Sequence, residues 1–173
     1  SEFAAWAKAN PAKANYGSTG GSFRLLSELF NQRTGSRFEH IPYRSSSELV
    51  TALITGQTMM SFIDPAALMP HVRAGKVRVL AQTGSGRSLD VPEAPTMAEA
   101  GVSGIESTAI SAFVAPAATP PPILAKLSSE LVAITKLPDV AERLRQLAAN
   151  PVGSTPQELA ALVASEIPRW REV

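Results

Sequence analysis

The 173-residue chain has no cysteine at all. That excludes disulfides, thiolate metal sites and cysteine nucleophiles together, and leaves the redox compartment open. It has two histidines, His40 and His71, and neither has a second histidine or an acid at metal-ligand spacing. Both therefore read as structural, and neither a metal nor a cofactor is expected. Charge is nearly balanced, with 16 Lys and Arg against 15 Asp and Glu. Nothing in that balance points to nucleic acid, and most of these charges read as a solvated surface. No apolar run approaches the ~20 residues a membrane span requires. No targeting segment is visible, but the opening SEFAAWAKANP reads as protein interior, so compartment stays undecided. Two nucleotide motifs are missing as well: there is no GxGxxG, and no GxxxxGK[ST] with its phosphate-gripping lysine.

What is present is 45% apolar residues, enough to bury a core, and a repeating helix–glycine–strand unit. Gly35, Gly56 and Gly75 each follow a helical pattern and precede a short β-type run, as a glycine just past a helix end should. The pattern predicts helices over Phe23–Thr34, Ser46–Thr55 and Pro65–Ala74, and strands near Ala14–Gly17, Phe38–Ile41, Met59–Ile63 and Val77–Thr83. Met59 and Met60 are expected to fill core space. Alternation of this kind argues for an α/β fold with a mostly parallel sheet. Parallel strands send their outgoing loops to one edge, where ligands of open α/β sheets bind. Those loops are GSTGGS (17–22), PYRSSS (42–47), DPA (64–66) and TGSGRS (83–88), all rich in small or hydroxyl residues. After Arg87 comes a proline-broken loop, a short helix at Met97–Ala100 and an extended crossover. Helices are then predicted over Pro121–Lys136, Pro138–Ala149 and Pro156–Arg171. A boundary near residue 108 divides an α/β lobe (1–108) from a crossover and C-terminal helical segment (109–173).

The helix starts differ in a way that bears on binding. Ser45/Glu48, Thr96/Glu99 and Thr155/Glu158 have capping-box spacing, so those glutamates satisfy their own helix ends. The helix behind GSTGGS has no acid in its first turn, and Glu28 comes too late to serve. Its amides and positive dipole end are open to an outside anion, with Ser18, Thr19 and Ser22 as hydroxyl donors and Gly20 and Gly21 allowing close approach. The competing reading is a Ser22 N-cap behind a tight turn, needing no ligand. With Phe23 where a P-loop has lysine, neutral donors suit a carboxylate. Asp64 either caps its helix, with Pro65 in the first position, or points into the cleft. Arg44 either pairs a ligand carboxylate in bidentate fashion or is solvated. A Ser18–His40–Asp64 triad can be drawn, but no G-x-S-x-G elbow supports it.

Several stretches together resemble one family: WAKANPAKANYGSTG (6–20), HIPYRSSSELVTALITGQTMMSFID (40–64), HVRAGKVRVLA (71–81), RSLDVPEAPTMAEAG (87–101), FVAPAATPPPILAKL (113–127) and NPVGSTPQELAALVASEIPRW (150–170). In order and over nearly the whole chain, they are similar to the Bug-type periplasmic receptors of tripartite tricarboxylate transporters. The resemblance implies a two-lobed, type II periplasmic-binding fold that clamps di- and tricarboxylates, acidic amino acids or aromatic acids. It also implies a periplasmic location and membrane transporter subunits as partners. The loop at Ser18–Ser22 and the segment around Asp64 would lie in the cleft. The family's first lobe, with its own glycine-rich loop, has no counterpart here, so segment 109–173 would complete a lobe whose other part is absent. Apolar rows such as Ile123, Leu127, Leu131 and Ile134 are then expected to be exposed and to promote self-association. The expectation is a non-enzymatic receptor, with Thr108–Pro116 as hinge. The rivals are a hydrolase using a serine of the 17–22 loop and a ligand-free sensing or assembly module.

Overall fold

A computed structural model describes residues 2–88, 91–108, 110–146 and 149–173. The described residues form two units, one taking in the chain up to residue 109 together with Val173, the other residues 110–172.

The first unit opens with a helix that the glycine pattern did not reveal, α1 (Glu2–Ala9). Ala4 and Ala7, one turn apart, are its buried positions. Phe3 carries it onto the sheet, its ring 5.3 Å from that of Phe38. Then follow β1 (Asn15–Ser18), α2 (Gly21–Thr34), β2 (Glu39–Pro42), α3 (Ser46–Thr55) and α4 (Pro65–Arg73). Strands β1 and β2 pair in parallel, with Tyr16 opposite His40 and Ser18 opposite Pro42.

Side chains alternate across a strand, and here the two faces meet different helices. On one face Tyr16 reaches α2, donating its hydroxyl to Glu28 Oε1 at 2.6 Å, while Phe30 of α2 packs on Phe38. On the other face Gly17 meets Leu49 of α3, a side chain with no exposure. The sheet is thus sandwiched between α2 and α3, as in βαβ architecture. Asn31 fastens the end of α2 to the entrance of β2: its Oδ1 accepts from Phe38 N at 3.0 Å and its Nδ2 donates to Phe38 O at 3.2 Å. Gly35, Gly56 and Gly75 take φ of 64°, 73° and 66°, the left-handed conformation their helix ends require.

Two expected strands are reduced to single parallel bridges. Over Met59–Ile63 only Met60 pairs, with Tyr16, and over Val77–Thr83 only Gln82 pairs, with Thr96. The physical reason in the first case is visible: Met59 N donates to the Asn15 side chain at 2.8 Å, diverting an amide that a ladder would use. Met59 is also exposed, so it does not fill the core as expected. The helix expected at Met97–Ala100 is a turn, although Thr96 and Glu99 make the reciprocal bonds of a capping box at 2.8 and 3.2 Å. Arg87 Nε also donates to Glu99 at 2.8 Å, and together these bonds hold the Glu99 carboxyl below its ordinary range. Met69, Val91 and Ala94, with Val72 and Val79, form a second small core under α4.

The second unit contains α5 (Pro121–Thr135), α6 (Pro138–Gln146) and α7 (Pro156–Arg171). The part of the predicted 138–149 helix at residues 147 and 148 lies outside the described residues, as do Leu89 and Asp90 of the proline-broken loop and Ala109 of the crossover. From Ile110 to Pro116 the chain has neither helix nor strand. Thr155 and Glu158 complete the capping box of α7, which lowers the Glu158 carboxyl below its usual range. Neither α5 nor α7 buries a residue. Of the predicted apolar row, Ile123 is 51% exposed, Leu127 47% and Ile134 43%, with Leu131 half-buried. Bare apolar faces rarely persist on monomers, so this 173-residue chain is expected to self-associate in sedimentation velocity experiments, and Leu127→Glu to weaken the association. A compact monomer at high concentration would contradict this.

Candidate functional site

The site is built where β1 hands over to α2. The strand runs through Ser18 and the helix starts at Gly21, so the connection is only Thr19 and Gly20, tighter than the GSTGGS loop read from sequence. Gly20 is the N-cap, extended at φ −178° and ψ 171°, with no side chain bonding the helix end and no acid in the first turn. Ser22 is therefore not the cap: it already lies within the helix, whereas an N-cap needs non-helical backbone. The first intrahelical bond is Arg24 N to Gly20 O at 3.1 Å, so the amides of Gly21, Ser22 and Phe23 precede the ladder. Gly20, Gly21 and Ser22 are exposed and Thr19 is half-buried.

Other helix starts are closed by their own side chains. Ser45 accepts from Glu48 N for α3, Asp64 from Ala66 N for α4, and Thr155 from Glu158 N for α7. At α3 the glutamate reaches one residue further back than a capping box does, accepting from Arg44 N at 3.1 Å. Helix α5 also lacks a capping side chain, but Pro121 and Pro122 in its first turn have no N–H to leave open. Helix α2 instead presents its amides and the positive end of its dipole to solvent.

Behind this opening is a polar cluster. Ser18 is 4% exposed, and its Oγ shares a 2.8 Å hydrogen bond with His40 Nε2. The imidazole lies against the Tyr16 ring, with centroids 5.0 Å apart. Burial, then the Arg24 charge, pushes the imidazole below its ordinary value, with Glu28 opposing. Burial and then the Glu28 hydrogen bond push the Tyr16 hydroxyl well up. Glu28 bonds Tyr16 and Asn31, so it leaves the α2 amides open, as its late position implied. His40, expected to be structural, makes a hydrogen bond here, and the charge of Arg24, which no motif singles out, acts on its ring. Parallel pairing of YGS with HIP would have put His40 beside Ser18, but the register cannot be read from these short runs alone.

The remaining predicted residues occupy neighbouring exits. Tyr43 N donates to Ser18 O at 2.9 Å, so the chain leaving β2 through exposed Arg44 starts beside the end of β1. Gly17 N donates to Met60 O at 3.0 Å, and the segment to Asp64 leaves in the same direction. Asp64 Oδ1 accepts from Ala66 N at 2.9 Å, which favours the capping reading of this residue. Ahead of the fourth expected loop, 83–88, Gln82 bridges to Thr96, and Ser107 N donates to Thr83 O at 2.8 Å. Ser18 through Ser22 are thus held together. Among the described residues, no hydrogen bond or ion pair joins the Arg44 or Asp64 side chain to them. Ser18 and His40 do meet, but Asp64 serves a helix end, so the triad drawn from sequence is not assembled.

Comparison with known proteins identifies the family. The family model described as "Tripartite tricarboxylate transporter family receptor" matches residues 1–173. Protein BugT of Bordetella pertussis is 33% identical over 168 residues, covering 96% of this chain and 52% of BugT. Among solved structures, R. palustris Rpa4515 with adipate superposes with a TM-score of 0.90 at 31% identity, covering 99% of this chain and 58% of that one. MatC from Rhodopseudomonas palustris with bound malate gives 0.83 at 29% identity, covering 99% and 60%. The chain spans about half the length of the curated relatives it matches. It belongs to the tripartite tricarboxylate transporter family of receptors.

Proposed function

We propose that this chain is the glycine-turn lobe and C-terminal segment of an extracytoplasmic, periplasmic receptor that binds small carboxylates for a tripartite tricarboxylate-type transporter and performs no chemistry of its own. The observation that carries this is the uncapped, solvent-facing start of α2 at the carboxyl end of β1. A carboxylate has one charge to neutralise, and three amides with a helix dipole supply that without a lysine. The amides of Gly21 and Ser22 and the hydroxyls of Ser18, Thr19 and Ser22 are its donors, and the absence of a side chain on Gly20 lets it approach. Arg44 supplies long-range attraction or a bidentate bond. Asp64 has a second carboxylate oxygen for a ligand hydroxyl or ammonium. That the two R. palustris structures carry adipate and malate supports a dicarboxylate as the ligand class.

The division into a lobe of residues 1–108 and a segment 109–173 completing the other lobe belongs to the same proposal, with the crossover as hinge and lobe closure read by membrane subunits. The expected result is saturable binding of at least one di- or tricarboxylate, weaker in this chain than in a full-length receptor. Calorimetry with a panel including adipate, malate and a phosphate ester checks it. Binding of the phosphate ester alongside no carboxylate would overturn the reading.

A further inference from the structure

We propose that His40 is the positioning residue of the carboxylate site, its imidazole deciding whether the Ser18 hydroxyl proton is held inward or turned outward to a ligand oxygen. This rests on the receptor reading above. Ser18 has one hydroxyl proton and is buried, and its Oγ lies 2.8 Å from His40 Nε2. With Nε2 unprotonated, the Ser18 proton is donated to the ring and nothing remains for a ligand. With Nε2–H donating to Oγ, the Ser18 proton is free to point toward the turn at Thr19 and Gly20.

The groups facing the ring set the balance between these states. Tyr16 on β1 lies against it, but the Tyr16 hydroxyl is donated to Glu28. From α2, Arg24 opposes a positive imidazole and Glu28 favours one, and burial adds to the opposition. Burial and the Arg24 charge thus favour a neutral ring in the empty site, and in its Nδ1–H form Nε2 accepts the Ser18 proton. A carboxylate at the α2 amides adds negative charge close to the same strand end, which favours the protonated ring with Nε2–H turned to Ser18. Binding and protonation are then coupled, and coupling is reciprocal. The sign follows: His40 has a higher pKa in the complex than in the free protein. The added affinity is present at low pH and is lost as pH rises through the bound-state value.

The test is NMR-monitored malate binding to the wild-type chain and to His40→Gln, from about pH 8 to about pH 5.5, on either side of the ordinary imidazole value. Glutamine retains a hydrogen-bonding arm but does not titrate, and the titration of malate itself is common to both proteins. Wild-type affinity is expected to rise on the order of tenfold toward the lower pH, the size of one hydrogen bond to a charged acceptor, beyond any rise in His40→Gln. Saturating malate should also raise the His40 ring titration in the wild-type protein, a readout that stands even if the variant fails to fold. Parallel pH profiles in the two proteins, or a His40 titration unmoved by malate, would overturn the inference while leaving the receptor reading intact. Should no di- or tricarboxylate of the panel bind the wild-type chain at any pH, the receptor reading itself fails, and the inference with it.

Discussion

Gly17→Ala is expected to destabilise the first unit by roughly 2–3 kcal/mol, the upper range for overpacking a filled interior. A methyl group there would collide with Leu49 Cδ1, come within 2.8 Å of Tyr43 Cε2 and lie 3.1 Å from Thr58 Cγ2. Two of the three are enclosed, and the third, half-buried Tyr43, is tied to one of them. Leu49 has no exposure and Thr58 has 2%, and a 2.6 Å hydrogen bond between Tyr43 and Thr58 fixes the pair. Gly17 does not have a positive φ, so backbone conformation is not the obstacle, and the lower entropy of an unfolded alanine chain offsets only about 0.4–1 kcal/mol. Urea unfolding followed by circular dichroism measures the effect. A loss below about 1 kcal/mol would mean that α3 sits further from the strand than described. Because Gly17 directly precedes Ser18, the same variant should displace the site as well as the core.

Gly20→Asp should move stability and binding in opposite directions. The backbone at Gly20 is extended, and a Cβ there would meet nothing within 4 Å, so aspartate fits. Its carboxylate would cap α2, and the few tenths of a kcal/mol that a cap gains over glycine, with its charge at the positive dipole end, would raise stability by roughly 0.5–1 kcal/mol. The same carboxylate would occupy the amides proposed for the ligand and repel its charge, lowering carboxylate affinity at least tenfold. Gly20→Asn separates the two contributions, since it caps without charge and should give an intermediate loss. Paired urea and calorimetric titrations read both quantities. An aspartate variant that is more stable yet binds malate as well as wild type would remove the α2 amides from the site.

The contrast between these glycines bears on what the sequence alone could tell. Gly35, Gly56 and Gly75 were legible because a helix end that turns into the left-handed region calls for glycine at one fixed place, and α3 was located to the residue by Ser45 and Gly56. The lack of an acid in the first turn of α2 was equally legible, but the missing cap was not, because Ser22 stays a candidate cap until the backbone places it inside the helix. Gly17 was not, because its reason is a tertiary contact with Leu49. Helix α1 escaped because its buried face is two alanines and its anchor, Phe3, packs on residues far along the chain. Strands at 59–63 and 77–83 were over-read: apolar runs report burial, while ladder formation depends on where amides go, and the Asn15 side chain takes one of them. The Ser18–His40 pair needed the register of two four-residue strands, which local pattern does not specify.

The Asn31 clasp has a consequence for the far end of its helix. Helix α2 is a 14-residue rod held at its tail by two bonds to Phe38 and partway along by the Tyr16–Glu28 bond. A rod fastened in this way cannot readily pivot or unwind when an anion pulls on its leading turn. The amides there would keep their aim before the proposed guest arrives, so little ordering entropy would remain to be lost on capture.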